Sequence, residues 1–182
     1  MGERTTAELE AALGDFRAAP VQDGRLDLVL RRPAEGEREV LDEARLTFAD
    51  GVEGDTWKVR GSRRTDDGSS HPDMQLNVMS ARFARFIAGS DERMALAGDQ
   101  LYVDFDLSEA NVPPGTQLAI GSAVIEVTDQ PHTGCAKFNQ RFGADALRFV
   151  NSPVGKELHL RGVNAKVVAE GTVRPGDTVT KK

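Results

Sequence analysis

Cysteine is almost absent from this 182-residue chain, which contains Cys135 alone. One cysteine cannot form an internal disulfide or supply the paired ligands of a zinc or iron–sulfur site within one chain. The histidines His71, His132 and His159 are far apart and lack the spacing of metal ligands. The P-loop, the dinucleotide-binding fingerprint, the zinc-protease motif and the nucleophile elbow are also missing. Several common enzyme mechanisms therefore have no support in the sequence.

Positive charge is scarce relative to negative charge, since the net charge is −6 and the isoelectric point is about 5.1. This argues against nucleic acid as the main partner, because the total implies no basic face. No run of about 18 apolar residues is present. The N-terminus also lacks the basic segment and apolar core of a secretory signal. We expect a cytoplasmic protein with no nucleic-acid and no membrane partner.

Aromatic residues are few, at 5%, whereas glycine is frequent, with 18 residues. Apolar residues recur every second position in several segments, which predicts strands. Helical periodicity and end signals predict three helices, over residues 5–18, 81–89 and 139–152. With roughly seven strands and no regular βαβ alternation, we predict a mainly β fold, an antiparallel or mixed β-barrel with about three peripheral helices. Residues 1–20 form a predicted helical extension, and residues 21–182 the barrel domain.

Local signals refine these elements. Thr6 is expected to cap the first helix, and Ser80 the second, which closes at Gly89. In the first strand, alternation places Leu26, Leu28 and Leu30 on one side. Similar alternation puts Tyr102, Asp104 and Asp106 opposite the apolar residues of a later strand. A hairpin is predicted around residues 121–122.

Residues 51–73 form a long polar segment with no sustained period. Loops of this length inside compact domains are often functional. The segment carries four cations, Lys58, Arg60, Arg63 and Arg64, for which the sequence alone favours a solvated loop over an anion site. We expect residues 53–73 of this segment to fold over the region of Cys135.

The stretch DQPHTGCAKFNQRFG, residues 129–143, surrounds Cys135. It follows a predicted strand and precedes a predicted helix. The helix start, His132 and Lys137 would all favour a reactive thiolate, the form that attacks sulfur or binds a soft metal. A small buried apolar spacer is the other interpretation of Cys135, and the pattern alone leaves both open. Likewise His132 is either a proton donor or base beside the thiol, or a residue that only caps the turn.

Three stretches resemble the MOSC domain, a family named for the C-terminal domain of molybdenum-cofactor sulfurase. They are GVEGD at 51–55, the segment at 97–138, and GVNAKVVAEGTVRPGDTV at 162–179. The second is long and specific: a Gly-Asp-x-Leu strand, a Pro-x-Gly-Thr turn, an Ile-Gly hairpin and a terminal cysteine. The resemblance covers residues 47–182, with residues 21–50 supplying the opening strands.

The resemblance implies a β-barrel core and one functional cysteine, which matches Cys135 by position. It also implies sulfur chemistry or the molybdenum cofactor, a pterin that bears a phosphate and a dithiolene. Two departures stand out. Gly134 occupies a position where several reductase-like relatives have proline. The chain also lacks an aminotransferase-like domain, so no pyridoxal phosphate is expected. It has no iron–sulfur or flavin domain either, so an external sulfur donor (cysteine desulfurase-like) or an electron-transfer protein is the expected partner.

On this basis we expect Cys135 and His132 to carry the chemistry, with Cys135 as the metal ligand if molybdenum is bound. The residues expected to hold the cofactor are Lys137, Arg141, Arg161, Asn164, Arg60 and Arg64. A structural salt-bridge or turn role is the alternative for Arg141, Arg161 and Asn164. Asp99, which follows a glycine, is expected only to bond loop backbone.

Three functions follow from these expectations. The first is a protein that binds the molybdenum cofactor or carries sulfur as a persulfide on Cys135. The second is a molybdenum-dependent reductase component acting on N-hydroxylated compounds. The third is a non-catalytic binding module, for which Cys135 would be buried and unreactive. Whether the protein is an enzyme, a sulfur transferase or an oxidoreductase component, is left open by the sequence.

Overall fold

The computed structural model describes residues 2–182 of the chain. Within that range the backbone forms eleven strands. They are β1 Gly24–Arg31, β2 Glu39–Leu41, β3 Ala44–Thr47, β4 Gly51–Val52, β5 Leu76–Ser80, β6 Leu101–Asp104, β7 Gln117–Ile120, β8 Ala123–Val127, β9 Val163–Ala169, β10 Gly171–Val173 and β11 Thr178–Lys181.

Seven of these strands close into a barrel in the order β1-β11-β7-β8-β9-β5-β6, with β6 returning to β1. The pair β5–β6 is parallel and the other barrel pairs are antiparallel, so the barrel is mixed. Strand β2 adds to β1 outside the ring, and β10, β3 and β4 form a separate small sheet. Closure removes the free sheet edges that would otherwise invite pairing with another chain. The predicted fold class is confirmed.

A register shift in β1 changes which residues enter the core. The pairing of β1 with β6 shifts between Leu26 and Leu28. An extra residue at such a bulge reverses the faces of the residues beyond it. Leu26 and Val29 therefore lie in the barrel core, while Leu30 packs in the helix layer. The prediction that Leu26, Leu28 and Leu30 share one face is wrong for this reason.

The outside of the barrel is also buried where helices cover it. Tyr102 was expected on a polar face, yet it is fully buried, and its hydroxyl donates to Met94 O at 3.0 Å. A strand covered on both faces carries apolar or paired side chains on both, so alternation misassigns its outward residues. Two apolar clusters result, one inside the barrel and one between barrel and helices.

Seven α-helices surround the barrel in the described part of the chain. They are α1 Thr6–Ala11, α2 Leu13–Arg17, α3 Trp57–Arg60, α4 Ala81–Ala88, α5 Asp91–Met94, α6 Ala136–Asn151 and α7 Pro153–Glu157, with 3₁₀ turns at Pro72–Met74 and Ala95–Ala97. None of them, within residues 2–182, has the length and hydropathy of a membrane span. The three predicted helices correspond to α1 with α2, to α4, and to α6, and the others are short.

The N-terminal helix differs in detail from its prediction. It is divided at Ala12, and its cap is Thr5 rather than Thr6: the Thr5 side chain accepts from Glu8 N, and the Glu8 carboxylate accepts from Thr5 N. This reciprocal pair satisfies two free amides at the helix start. Ser80 and Gly89 cap α4 as predicted.

The two N-terminal helices pack on the helix layer. The Phe16 ring lies 5.3 Å from that of Phe83 and 5.5 Å from that of Phe86, both edge-on. Thr6 N donates to the Asp145 carboxylate at 2.8 Å, which ties α1 to α6. The division into an extension at 1–20 and a barrel domain at 21–182 stays a prediction, and Met1 lies outside the described residues.

Candidate functional site

A cavity of about 630 Å³ opens where the loop after β1, the segment around α3 and the start of α6 meet one end of the barrel. Its volume lies in the range of about 300–1,000 Å³ usual for small-molecule sites. Six cationic side chains line it: Arg32, Arg38, Arg60, Lys137, Arg141 and Arg161. Two carboxylates, Glu35 and Glu37, also lie in the lining. The wall is therefore rich in positive charge, although the whole chain is acidic.

The fold brings most of the predicted site residues to this cavity. The members present in the lining are Cys135, His132, Lys137, Arg141, Arg161 and Arg60. Thr56 and Val59 come from the loop of residues 53–73, which is expected to fold over Cys135, and they line the same cavity. Arg64 and Asn164, which were also predicted to hold a cofactor, are not in the lining.

Cys135 lies at the N-terminal end of α6 as its cap residue, and it is exposed. The preceding turn, residues 129–134, is here called the strap. The Asn151 side chain fixes it, accepting from Gly134 N at 3.1 Å and donating to Gly134 O at 3.4 Å. The interpretation of Cys135 as a buried spacer is therefore wrong, because the thiol is presented at the cavity.

Steric contacts explain why a glycine, Gly134, precedes the cysteine in this structure. A Cβ at Gly134 would lie 2.7 Å from Leu147 Cδ1 and 2.8 Å from Val150 Cγ2. Atoms do not approach that closely without a shift of the neighbouring side chains. The strap thus packs directly on α6, and its close approach depends on the missing side chain.

The helix after Cys135 begins earlier than predicted, at Ala136, and it is interrupted at Gly143. Gly143 has φ 90° and ψ 166°, a conformation open to glycine and strained for other residues. The first part of α6 is therefore short. Its Phe138 and Phe142 are buried, with ring centroids 5.0 Å apart, and they anchor this part to the helix layer.

His132 lies in the strap with its side chain 12% exposed. Its Nδ1 is 3.5 Å from Asp99 Oδ1 and has no hydrogen-bond partner in the described chain. Burial, with the positive charges of Arg161 and Arg32, holds the pKa of His132 well below its ordinary value. The imidazole is therefore neutral at pH 7. No hydrogen bond connects it to Cys135 within residues 2–182, so direct activation of the thiol stays a prediction.

Asp99 plays a different part from the one expected. Its carboxylate is fully buried, and both oxygens accept from Arg161 Nη1, at 2.9 and 2.7 Å. The two residues are 62 positions apart in the chain, so no local signal could reveal the pair. Burial raises the pKa of Asp99, and Arg161 acts in the opposite direction. The expectation that Asp99 only bonds loop backbone is wrong.

Two arginines of the wall were missed by the sequence reasoning. Arg32 is bound by the buried Asp55 carboxylate, with Nε–Oδ2 at 2.9 Å and Nη2–Oδ1 at 2.8 Å. Arg38 has no carboxylate partner among residues 2–182, and its Nη1 donates only to Gly36 O, at 2.8 Å. Burial, then the charge of Arg141, lowers the pKa of Arg38. The sequence offers one local signal for these arginines. The stretch RRPAEG, residues 31–36, stands at the end of β1, and such loops often carry binding residues.

Arg64 and Asn164 contact the strap instead of lining the cavity. Arg64 Nη1 donates to Gln130 Oε1 at 3.3 Å from an exposed position. Asn164 is fully buried, donates to Gln130 O at 3.0 Å, and accepts from Asn77 Nδ2 at 2.7 Å. The side-chain amide of Asn164 thus holds the strap on the barrel. Neither residue lines the cavity, and cofactor binding by Arg64 or Asn164 stays a prediction.

The remaining cations have few carboxylate partners. Lys137 Nζ lies 3.6 Å from Glu35 Oε1, but both side chains are well exposed, so the pair contributes little. Arg141 Nη1 donates to Leu96 O at 2.7 Å, and no carboxylate of the described residues pairs with it. Burial, followed by repulsion from Arg32, lowers the pKa of Arg60. An anion in the cavity would relieve this accumulation of like charge.

No group of three or more His, Cys, Asp or Glu side chains in residues 2–182 is arranged to hold a metal ion. Cys135 is the one thiol of the sequence. A soft metal at the cavity would therefore meet a single protein thiol.

Several solved structures resemble this one. The YuaD protein from Bacillus subtilis has a TM-score of 0.62 at 12% identity, covering 86% of this chain and 93% of its own. YiiM from Escherichia coli has a TM-score of 0.54 at 24% identity, covering 87% and 69%. A protein described only as hypothetical has a TM-score of 0.54 at 25% identity, covering 86% and 68%. No curated protein matches.

A match to a family profile is more specific evidence of family membership than the similarity of these folds. The profile of the MOSC domain matches residues 72–180, which is more than half of the chain. The matched region includes the strap, Cys135 and the strands on both sides of them. The chain belongs to the MOSC domain family.

Proposed function

We propose that this MOSC-family protein binds the molybdenum cofactor in the cation-lined cavity and carries sulfur or ligates metal through Cys135. One observation carries the proposal: an exposed, solitary thiol lies in the same wall as several arginines that lack carboxylate partners in the described chain. An anionic ligand with a soft, sulfur-seeking centre matches both features.

The cavity residues fit such a group. Arg38 and Arg141 have guanidinium groups free of carboxylates, and Arg60 is a third candidate for a phosphate. Guanidinium binds phosphate oxygens through paired N–H donors, which gives orientation as well as charge. When bound, the cofactor would supply a redox-active metal and its dithiolene sulfurs. The protein residues would bind the phosphate and orient the pterin.

Sulfur transfer to Cys135 needs no further group from this chain. In that step the Cys135 thiolate attacks the outer sulfur of a persulfide on a cysteine desulfurase-like donor, and the donor leaves as its thiolate. One S–S bond forms as another breaks, so no external oxidant is needed. The exposure of Cys135 allows the approach of such a donor.

The other two functions have less support. A non-catalytic module was expected to bury its cysteine, and Cys135 is exposed. A molybdenum-dependent reductase component stays a prediction, since it requires bound metal and an electron donor from outside this chain. Both would share the same cavity, so the experiment below also bears on them.

The deciding measurement is the molybdenum and pterin content of the protein purified from cells that make the cofactor. The parent, Cys135→Ser and Arg64→Ala are compared, with Arg64→Ala as the control because Arg64 does not line the cavity. We expect cofactor in the parent and the control, and loss of molybdenum in Cys135→Ser. Persulfide trapping on the same samples tests sulfur transfer. Absence of both cofactor and persulfide from the parent would refute the proposal.

A further inference from the structure

Asp99 has no access to solvent or ligand of its own. Its exposure is 0%, and it follows Gly98, which ends a 3₁₀ turn with φ 83°. Both carboxylate oxygens are directed to the same atom, Arg161 Nη1. Any influence of Asp99 on a bound molecule must therefore pass through its neighbours.

Arg161 is held on several sides. Its Nη2 donates to Ala97 O at 3.3 Å, and its guanidinium carbon lies 5.2 Å from the centre of the Phe138 ring. The side chain is only 9% exposed. Its Nε is buried and has no hydrogen-bond partner in the part of the chain that the structure describes. A buried donor left unpaired is destabilising, and an acceptor on a ligand would offset that cost.

The Arg161 side chain lies in the walls of two cavities, where a bound molecule would approach it. Arg161 lines the cavity of about 630 Å³ and also a second cavity of about 450 Å³ on the other side of the strap. His132 and Thr133 line both cavities as well. The guanidinium thus lies in the partition between them, next to a neutral histidine whose Nδ1 is also unpartnered among residues 2–182.

We propose that Asp99 is a positioning residue that holds the Arg161 guanidinium against Phe138, so that Nε–H is presented to an oxyanion oxygen of the ligand. The inference rests on the proposed use of the cavity for an anionic ligand. A carboxylate that only neutralised Arg161 could pair with it in many orientations. In this structure Ala97, Phe138 and Asp99 contact the guanidinium on three sides.

Inorganic phosphate is the probe, and the Arg161 Nε–H signal in ¹⁵N NMR spectra is the readout. In the parent we expect phosphate to shift this signal. In Asp99→Asn we expect phosphate affinity to fall about 10- to 100-fold, the loss that is typical when the hydrogen-bonding partner of a metal ligand is removed. Asp27→Asn is the matched control, because Asp27 is 3% exposed and pairs with Arg25 and Arg85, away from both cavities. We expect its affinity to equal that of the parent.

Asp99→Glu separates position from charge, and it decides the question if Asp99→Asn does not fold. The longer side chain keeps the charge and displaces the guanidinium, so we expect weaker phosphate binding here too. The inference is overturned by parental affinity in Asp99→Glu, by equal losses in Asp99→Asn and Asp27→Asn, or by an Arg161 signal that phosphate does not move in the parent.

The same preparations separate this inference from the proposed function. A phosphate response at Arg161 that weakens in the Asp99 variants, in a parent that never acquires pterin or persulfide, supports the positioning role and refutes the proposed function. If the parent contains pterin but phosphate does not move the Arg161 signal, the proposed function is supported and the positioning role is refuted.

Discussion

Two buried arginine–carboxylate pairs face the same cavity, and they differ in how completely the arginine is used. Arg32 donates through Nε and Nη2 to the two oxygens of Asp55, and through Nη1 to Asn77 Oδ1 and Gly98 O, both at 3.3 Å. Arg161 donates to both oxygens of Asp99 through a single nitrogen, Nη1, and its Nε has no partner in the described residues.

This difference indicates that the Arg32–Asp55 pair is structural, whereas Arg161 keeps a donor for a ligand. A guanidinium whose three nitrogens all have partners gains less from a bound molecule than a buried nitrogen without one, which gains a hydrogen bond. The Asp55 side chain also accepts from Trp57 N at 2.8 Å, so the Arg32 pair organises the loop that lines the cavity. Similar residue types thus serve different purposes because of geometry alone.

The largest effect is expected from Asp55→Ala. It leaves Arg32 buried and unpaired, and removing one partner of a buried ion pair costs about 3–5 kcal/mol. The free energy of unfolding from urea titration measures this cost. Asp66→Ala, at an exposed loop position, is the control and should leave stability unchanged. If Asp55→Ala costs no more stability than an ordinary surface substitution, the Arg32–Asp55 pair is not structural and the two pairs cannot be distinguished in this way.

A smaller loss is expected from Arg161→Met, about 1–3 kcal/mol, the cost of an unpaired buried polar group. Burial already raises the pKa of Asp99, and without Arg161 the carboxyl keeps its proton to higher pH. From the ordinary value of 3.8 up to the raised pKa, the folded state holds a proton that the unfolded state has released. Stability therefore falls as pH rises through that window.

Urea titrations of Arg161→Met and the parent at several acid pH values test this sign. The deficit of the variant should shrink toward pH 3.8. A deficit that grows on acidification would show that Asp99 remains charged. At neutral pH the variant should also lose the cofactor retained by the parent.

His132→Gln is expected to alter the pH dependence of stability more than stability itself. The pKa of His132 is held below 6.5, so below that pH the unfolded state binds a proton that the folded state refuses. Stability is lost as pH falls, at no more than about 1.4 kcal/mol for each pH unit. The loss should be smaller in the variant. A His132 ring signal that titrates near 6.5 in NMR spectra of the parent would contradict this.

The smallest effect is expected from Arg64→Ala. The exposed Arg64 side chain donates a hydrogen bond to Gln130 in the strap, so unfolding free energy should change by no more than about 0.5 kcal/mol. Cofactor content should equal that of the parent. A loss of cofactor comparable to that in Cys135→Ser would restore Arg64 as a binding residue and extend the cavity wall beyond its present lining.

Sequence reasoning found several residues of the cavity wall because its signals are local. Cys135, His132 and Lys137 lie within six positions of one another, and a turn beside a helix start is readable from proline and glycine. The reasoning missed Arg38 and misjudged Asp99. Their importance depends on partners that are distant in the chain or missing altogether, and periodicity contains no information on either.

The sequence by itself determined the barrel class, most strand positions and the presence of one cysteine in a family-specific turn. Alternation and turn residues encode these, because each depends on neighbours two to four positions away. Tertiary structure alone decided the bulge in β1, the exposure of Cys135 and which arginines retain a free donor. Those properties follow from closure of the barrel, which brings Asp99 to Arg161 and Asp55 to Arg32 across long stretches of chain.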